Sequence, residues 1–407
     1  MRLAAAVLIA AMSLHCSHQG HGAPVAAPDA TFEAEGVDAL SHDVMLDGAL
    51  APDNELPTDA GAETEPGATP VVYDRCVSPT QQDLLYPPYP PVPAGCVEDF
   101  WQCPYAPGFA TVDPTTVCSI TEGFDSDGAI QGQFWQAYDY AREYFGAYGP
   151  VFVYFMGPTD PASNQLIWEL RAQRRAVPSA CYPVEQQIAA FADNVHGSRE
   201  LEAANSGEGG FFSISGNSGC HPLMDLMMVN PALDEVRTIT MHEYTHIFQA
   251  AHILTDDRDS DYGLNSWIME GQATYVAAKF GEQTGWGPSF EYLMMGMKHW
   301  GGYVSPEGID AFLAAEGDFR LDDESYWERS DFSAPAVYYQ LGAWAWAYLI
   351  DGVGGDYDVA LKAFIQDVPV MGRAASFQKH FGRSMETFFD EFRIFVQGDD
   401  AAWSSIL

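Results

Sequence analysis

Apolar and polar positions change rhythm several times along this chain, and each change marks an element. From Phe134 to Phe145 aromatic residues and alanines recur at helical spacing, which predicts a helix with a buried face. The run Pro150-Val151-Phe152-Val153-Tyr154-Phe155 follows, and its length and β-branched and aromatic content predict a strand. Ile167 to Arg175 reads as a further helical segment, and Leu223 to Val229 as a strand leading into a turn at Asn230-Pro231. Between Pro231 and Ala251 the pattern is helical, and Val236, Ile239, Ile247 and Phe248 make it apolar nearly all round, so this helix is expected to be buried. A later helix has start signals at Ser333 and Pro335 and a stop at Gly352. No internal repeat is visible.

The ends of the chain follow other rules. Arg2 and the apolar stretch Leu3 to Leu14 read as an export signal, too short to span a bilayer as a stable helix. From Ser17 to Asp74 there are twelve Asp or Glu residues and no Lys or Arg, in a setting rich in Ala, Pro and Gly. Such a stretch buries too little apolar surface to order itself and reads as an extended, self-repelling tether. Between Cys76 and Cys118 lie four cysteines and the Pro-Tyr run Tyr86-Pro87-Pro88-Tyr89-Pro90-Pro91, which suggests a disulfide-tied lead-in with polyproline character. The expected organisation is therefore a signal at 1–16, a tether at 17–75, a cysteine-rich lead-in at 76–123, a main body at 124–397 and a tail at 398–407.

Composition changes this picture in two ways. A formal net charge of -39 disfavours nucleic acid and anionic membrane faces as partners, since both would repel the chain. Six of the seven cysteines, Cys76, Cys96, Cys103, Cys118, Cys181 and Cys220, make an even set that suits an oxidising compartment, with the pairing left open. The odd one, Cys16, ends the apolar stretch and resembles the lipid-modified cysteine of bacterial lipoproteins, although Ser13-Leu14-His15-Cys16 departs from the usual local pattern. The chain is thus expected to be exported, either as a cell-envelope lipoprotein held by acyl chains or as a secreted protein.

The segment that carries chemistry is His242-Glu243-Tyr244-Thr245-His246. On a helix the i, i+4 spacing sets both imidazoles on one face, where they can share a tetrahedral Zn²⁺, with Glu243 beside it. A catalytic zinc needs a third protein ligand and an open position. Glu270 lies twenty-four residues after His246, in the otherwise apolar, helix-forming stretch Trp267-Ile268-Met269-Glu270-Gly271-Gln272-Ala273. A carboxylate buried there without compensation would be costly, and a metal partner accounts for it.

These two segments together resemble the gluzincin metallopeptidases, the thermolysin-like group that includes the membrane-alanyl-aminopeptidase branch, whose pattern pairs H-E-x-x-H with a downstream Trp-x-x-Glu-Gly-x-Ala. The resemblance extends more weakly to 134–155 and to Phe377 through Ser384 with Phe388, Phe389 and Phe392, and so covers roughly 124–397. It implies an α+β zincin-like catalytic domain: a small sheet beside the active-site helix, then a mainly helical C-terminal half, with the site in the cleft between them. It further implies one Zn²⁺ held by His242, His246 and Glu270, Glu243 as general base, and a peptide or protein substrate. A tyrosine three residues before a glycine on a later helix steadies the oxyanion in that branch, and Tyr339, before Gly342, fits the placement, with Tyr338 as fallback.

Two features depart from the family. The aminopeptidases read a free amine with an acid in a Gly-x-Met-Glu-Asn edge strand, and the positional analogue here, Leu226-Met227-Met228-Val229-Asn230, has no Glu, which favours an endopeptidase. The position one turn after Glu270, where a second acid would orient a ligand histidine, is Thr274, whose hydroxyl is expected to orient it by hydrogen bonding, less firmly than a carboxylate would. Separately, Asp257, Asp259 and Asp261 alternate as in a calcium loop, but Gly263 and Ile268 stand where an EF-hand pattern is broken, and a solvated acidic loop is favoured over a Ca²⁺ site. The rival to an enzyme is a surface lipoprotein that uses a zincin scaffold for binding alone.

Overall fold

A computed structural model describes residues 75–77, 116–149, 151–175, 195–207, 211–215, 224–253, 260–299, 308–315, 319–323 and 334–407. The export signal, the acidic tether, Cys16 and the Pro-Tyr run lie outside these residues. Strands β1 (Cys76–Val77), β2 (Thr116–Ile120), β3 (Val151–Met156), β4 (Phe211–Ser215) and β5 (Met224–Val229) form one sheet in the order β1-β2-β3-β5-β4. The first three pairings are parallel, and β4 closes one edge antiparallel to β5.

The central strands are buried on both faces, which explains why β3 is an unbroken apolar run rather than an alternating one. Val151, Val153 and Phe155 face the larger core; Phe152, Tyr154 and Met156 face a smaller one with Ile167, Ala203 and Ala204 from helices α2 (Pro161–Arg175) and α3 (Val195–Ser206). Within that smaller layer Arg171 donates to the Asp225 carboxylate of β5 at 2.7 Å, which neutralises the one charge on a buried strand.

The stretch read as a lead-in supplies part of the sheet itself. β1 and β2 continue it beyond β3, and a Cys76–Cys118 disulfide joins residues that face each other across the β1–β2 pairing. A strand of two residues is too short to show a period, so no pattern could have revealed β1. The tail at 398–407 is likewise packed: helix α12 (Asp400–Ser404) buries Trp403 against Trp344, ring centres 4.6 Å apart.

On the larger face, α1 (Ala129–Phe145) lies on α4 (Val236–His252) through Tyr138 on Tyr244 and Phe145 on Phe248. The Tyr244 hydroxyl donates to the Gly146 carbonyl at 2.6 Å. Asn230 makes the turn after β5 with a φ of 46°, a conformation its short polar side chain tolerates. Then α5 (Ser266–Gln283) packs on the other side of α4, followed by α6 (Phe290–His299), α7 (Ile309–Ala315) and α8 (Ala334–Ala347). α8 runs into a π-helical turn at Tyr348–Gly352, so the expected stop at Gly352 is its last residue; a second π turn at Val359–Ala363 precedes α9 (Phe364–Met371), α10 (Arg373–Phe381) and α11 (Met385–Val396). Trp267 of α5 stacks on Phe388 of α11, which brings the C-terminal helices onto the same core. No helix of the described residues is long and apolar enough to cross a membrane. The whole matches a zincin-like α+β fold: a small sheet, a helix carrying H-E-x-x-H, and a mainly helical C-terminal half.

α5 and α8 cross with their backbones in contact at two glycines. A Cβ on Gly271 would stand 2.3 Å from the Gly342 carbonyl carbon, and one on Gly342 would stand 2.6 Å from the Trp267 carbonyl oxygen. Main chain cannot yield as a side-chain tip can, so each substitution must push the helices apart. Gly271→Ala and Gly342→Ala are each expected to lower the unfolding free energy by about 2 kcal/mol or more, read as a fall in urea midpoint. Alanine tolerated at both positions would show that the helices do not meet this closely.

Candidate metal centre

The active-site helix is buried, and its two buried threonines are satisfied locally. Thr240 and Thr245 donate their hydroxyls to the carbonyls of Val236 and Met241, one turn back, at 2.6 and 2.9 Å. His242 and His246 stand one turn apart on the side that faces α5, with their Nε2 atoms 3.1 Å apart. Glu270, the residue before Gly271, brings its Oε2 to 3.5 Å from His242 Nε2 and 3.2 Å from His246 Nε2. Ligand atoms ~2.0–2.1 Å from a tetrahedral zinc stand roughly 3.3 Å from one another, so the three separations already have the size a zinc ion requires.

The chemistry of the donor set agrees. With both rings neutral and their hydrogens on Nδ1, two imidazole lone pairs and a carboxylate oxygen would converge with no donor among them, an arrangement that requires a cation at the centre. Oε2 of Glu270 and Oε2 of Glu243 are both buried without a hydrogen-bond partner. Burial alone would raise the Glu270 carboxyl, but His246 and His242 beside it hold it well below the usual carboxylate range. Burial would lower His246, and the Glu270 carboxylate reverses this and lifts it to about 9. Glu243 is pushed up by burial, with the two histidines opposing and Glu270 adding to the rise. A carboxylate raised in this way beside a cation site is suited to take up and release a proton.

Tyr339 belongs to the same constellation. Its ring is buried and stacks on that of His242, with centres 5.9 Å apart and planes 17° from parallel. The close crossing at Gly342 explains the approach, because Tyr339 lies one turn before that glycine, as Glu270 lies one residue before its counterpart. The side chain of the fallback, Tyr338, lies outside those described.

Two expectations change. Thr274 does not orient a ligand: its buried hydroxyl makes no hydrogen bond, and His246 Nδ1 instead meets Gln249 Oε1 at 2.8 Å. Gln249 stands one turn after His246 on the same helix, a position whose spacing could have flagged it. The segment Leu226–Asn230 is not the edge-strand analogue, since β5 is enclosed between β3 and β4; among the described residues the edge is β4, Phe211–Ser215, which packs beside α4 and also carries no acid. Asp261 is engaged elsewhere, its carboxylate accepting from the Ala374 N–H at 2.9 Å at the start of α10, while Asp257 and Asp259 lie outside the described residues. Among the described residues, His242, His246 and Glu270 form the one group of three or more His, Cys, Asp or Glu side chains spaced to hold a metal. Of the remaining cysteines, Cys96, Cys103, Cys181 and Cys220 lie outside those residues.

No family of known proteins, no curated protein and no solved structure matches this chain. Its His242-Glu243-x-x-His246 segment with the downstream Glu270 nonetheless matches the H-E-x-x-H…E metal-binding geometry of the gluzincin type, suited to a divalent metal such as Zn²⁺.

A histidine held at about 9 by a neighbouring anion is protonated at pH 7, and zinc must displace that proton. Zinc affinity should therefore rise about tenfold per pH unit below that value. In the metal-free chain the His246 ring should titrate near 9 by NMR. In Glu270→Gln, where only Glu243 and Gln249 remain to oppose burial, it should titrate lower than in the wild-type chain. Equal titration in the two chains would show that Glu270 is not the anion facing His246.

Proposed function

We propose that this protein is an exported zinc metallopeptidase, and an endopeptidase rather than an aminopeptidase. The observation that carries this reading is a cluster of two partly buried histidines and a buried glutamate at metal-ligand spacing, with a second, unpartnered carboxylate, Glu243, beside it. A scaffold that only bound metal or protein would have no use for that second buried carboxylate.

A zinc ion held by His242, His246 and Glu270 supplies Lewis acidity towards a carbonyl oxygen and towards water. Glu243 takes the proton of the attacking water and passes it to the leaving amine; its upward-shifted pKa suits both roles. Tyr339, held against His242, supplies a hydroxyl donor to the developing oxyanion. An extended peptide can pair with the outer edge of β4, beside α4, and the absence of an acid in Phe211–Ser215 leaves no group there to select a free amino terminus. The Cys76–Cys118 disulfide supports an oxidising compartment, in keeping with the Leu3 to Leu14 signal, after which the chain is secreted or tied to the cell envelope by acyl chains on Cys16.

Elemental analysis should find ~1 zinc ion per chain, lost in His246→Ala and in Glu270→Ala. Zinc that survives both substitutions would overturn the assignment. Glu243→Gln should keep the metal and lose at least ~10³-fold in turnover of a peptide substrate, because proton transfer rather than binding is removed.

Tyr339→Phe should lower kcat by about 10²-fold with little change in KM, as expected for a group that acts on the transition state. A change confined to KM would instead assign Tyr339 to substrate binding.

A further inference from the structure

Behind the metal centre runs a chain of buried amides whose orientation is fixed from its far end. The Leu361 carbonyl, within the π turn at Val359–Ala363, can only accept, so Gln272 must turn its Nε2 to it, at 2.9 Å. That leaves Gln272 Oε1 facing Gln249, whose Nε2 donates to it at 2.7 Å and to the Met269 carbonyl at 2.9 Å. Both N–H groups of Gln249 are then used, and its Oε1 is the atom presented to His246 Nδ1 at 2.8 Å. Facing an acceptor, Nδ1 must carry its hydrogen. The lone pair of the neutral ring is thereby placed on Nε2, the atom that points at His242 and Glu270. Both glutamines are buried, so water does not compete for these bonds.

We propose that Gln249 and Gln272 are positioning residues of the metal centre, a relay that runs from a π-turn carbonyl to His246 and sets both the tautomer and the rotation of that ligand. Carboxylates commonly hold metal-binding histidines from behind. Here neutral amides do so, and their hydrogen-bonding sense is dictated by the backbone instead of by charge. Gln272 reaches His246 only through Gln249, whereas Gln249 also has the Met269 carbonyl. The inference rests on His246 being a zinc ligand, as proposed above.

The test is zinc affinity of the full chain, by competition with a chelator, with urea midpoints of the metal-free proteins recorded alongside. Gln249→Leu should bind zinc roughly 10–100-fold more weakly. Gln272→Leu should weaken it by a smaller factor, and the double variant should be no worse than Gln249→Leu alone, because the two residues act in series. Gln249→Glu keeps an acceptor for Nδ1–H but loses both donated bonds. It should therefore lower the urea midpoint while holding zinc as tightly as wild type, a split that a purely structural glutamine would not give. Should Gln249→Leu fail to fold, that split and Gln272→Leu decide the matter. Wild type that takes up no zinc would sink the metal assignment and the relay with it. Zinc held equally well by wild type and both leucine variants, or tenfold more weakly by Gln249→Glu, would sink the relay alone.

Discussion

The contact between Gly271 and Gly342 is the constraint from which the site follows. Helices bearing ordinary side chains pack with axes 8–10 Å apart. Two glycines at the crossing remove the side chains that would hold α5 and α8 at such a distance, and their main chains touch. The residues flanking the glycines are thereby brought to the same depth: Glu270 against both histidines, Tyr339 against His242. Trp346 secures the crossing, its indole donating to the Ile268 carbonyl at 3.2 Å.

Around that crossing the molecule does something energetically costly. It buries two carboxylates, with two partly buried imidazoles beside them, in a wall of aromatic and aliphatic side chains, where isolated charges are penalised heavily. Two partial solutions are visible. His246 and Glu270 shift each other's pKa in opposite directions, the mark of a shared proton or cation. The amide relay satisfies the rear nitrogen of His246 without adding charge. Neither reaches the buried Oε2 of Glu243, which keeps its acceptor capacity for a proton from outside the protein.

The same economy holds at the outer parts of the fold. The Cys76–Cys118 bridge fixes a strand too short to hold itself by hydrogen bonds alone, and so extends the sheet that backs the active-site helix. Trp267, stacked on Phe388, and Trp344, against Trp403, tie the C-terminal helices to α5 and α8. The aromatic richness of the chain is thus spent on bracing the two helices that carry the ligand and the candidate oxyanion donor.

The sequence by itself determined the elements with a strong period and the residues with a strong chemical signature. β3 and the helix at 134–145 could be read from their patterns, because both bury long regular runs. His242, Glu243 and His246 could be read because their spacing is a property of one helix, and Glu270 because an acid in an otherwise apolar stretch of helix demands a partner. Tertiary structure alone decided what depends on distance between segments remote in sequence. That β4 and not β5 is the edge strand follows from strand order, which no local pattern encodes. That Gln249 and not Thr274 supports His246 follows from the rotation of α5 against α4, which places the Thr274 hydroxyl where it meets no partner and Gln272 where it meets Gln249. Hydrogen bonds that run between helices are set by packing geometry, and packing is fixed only when all the contacts form together.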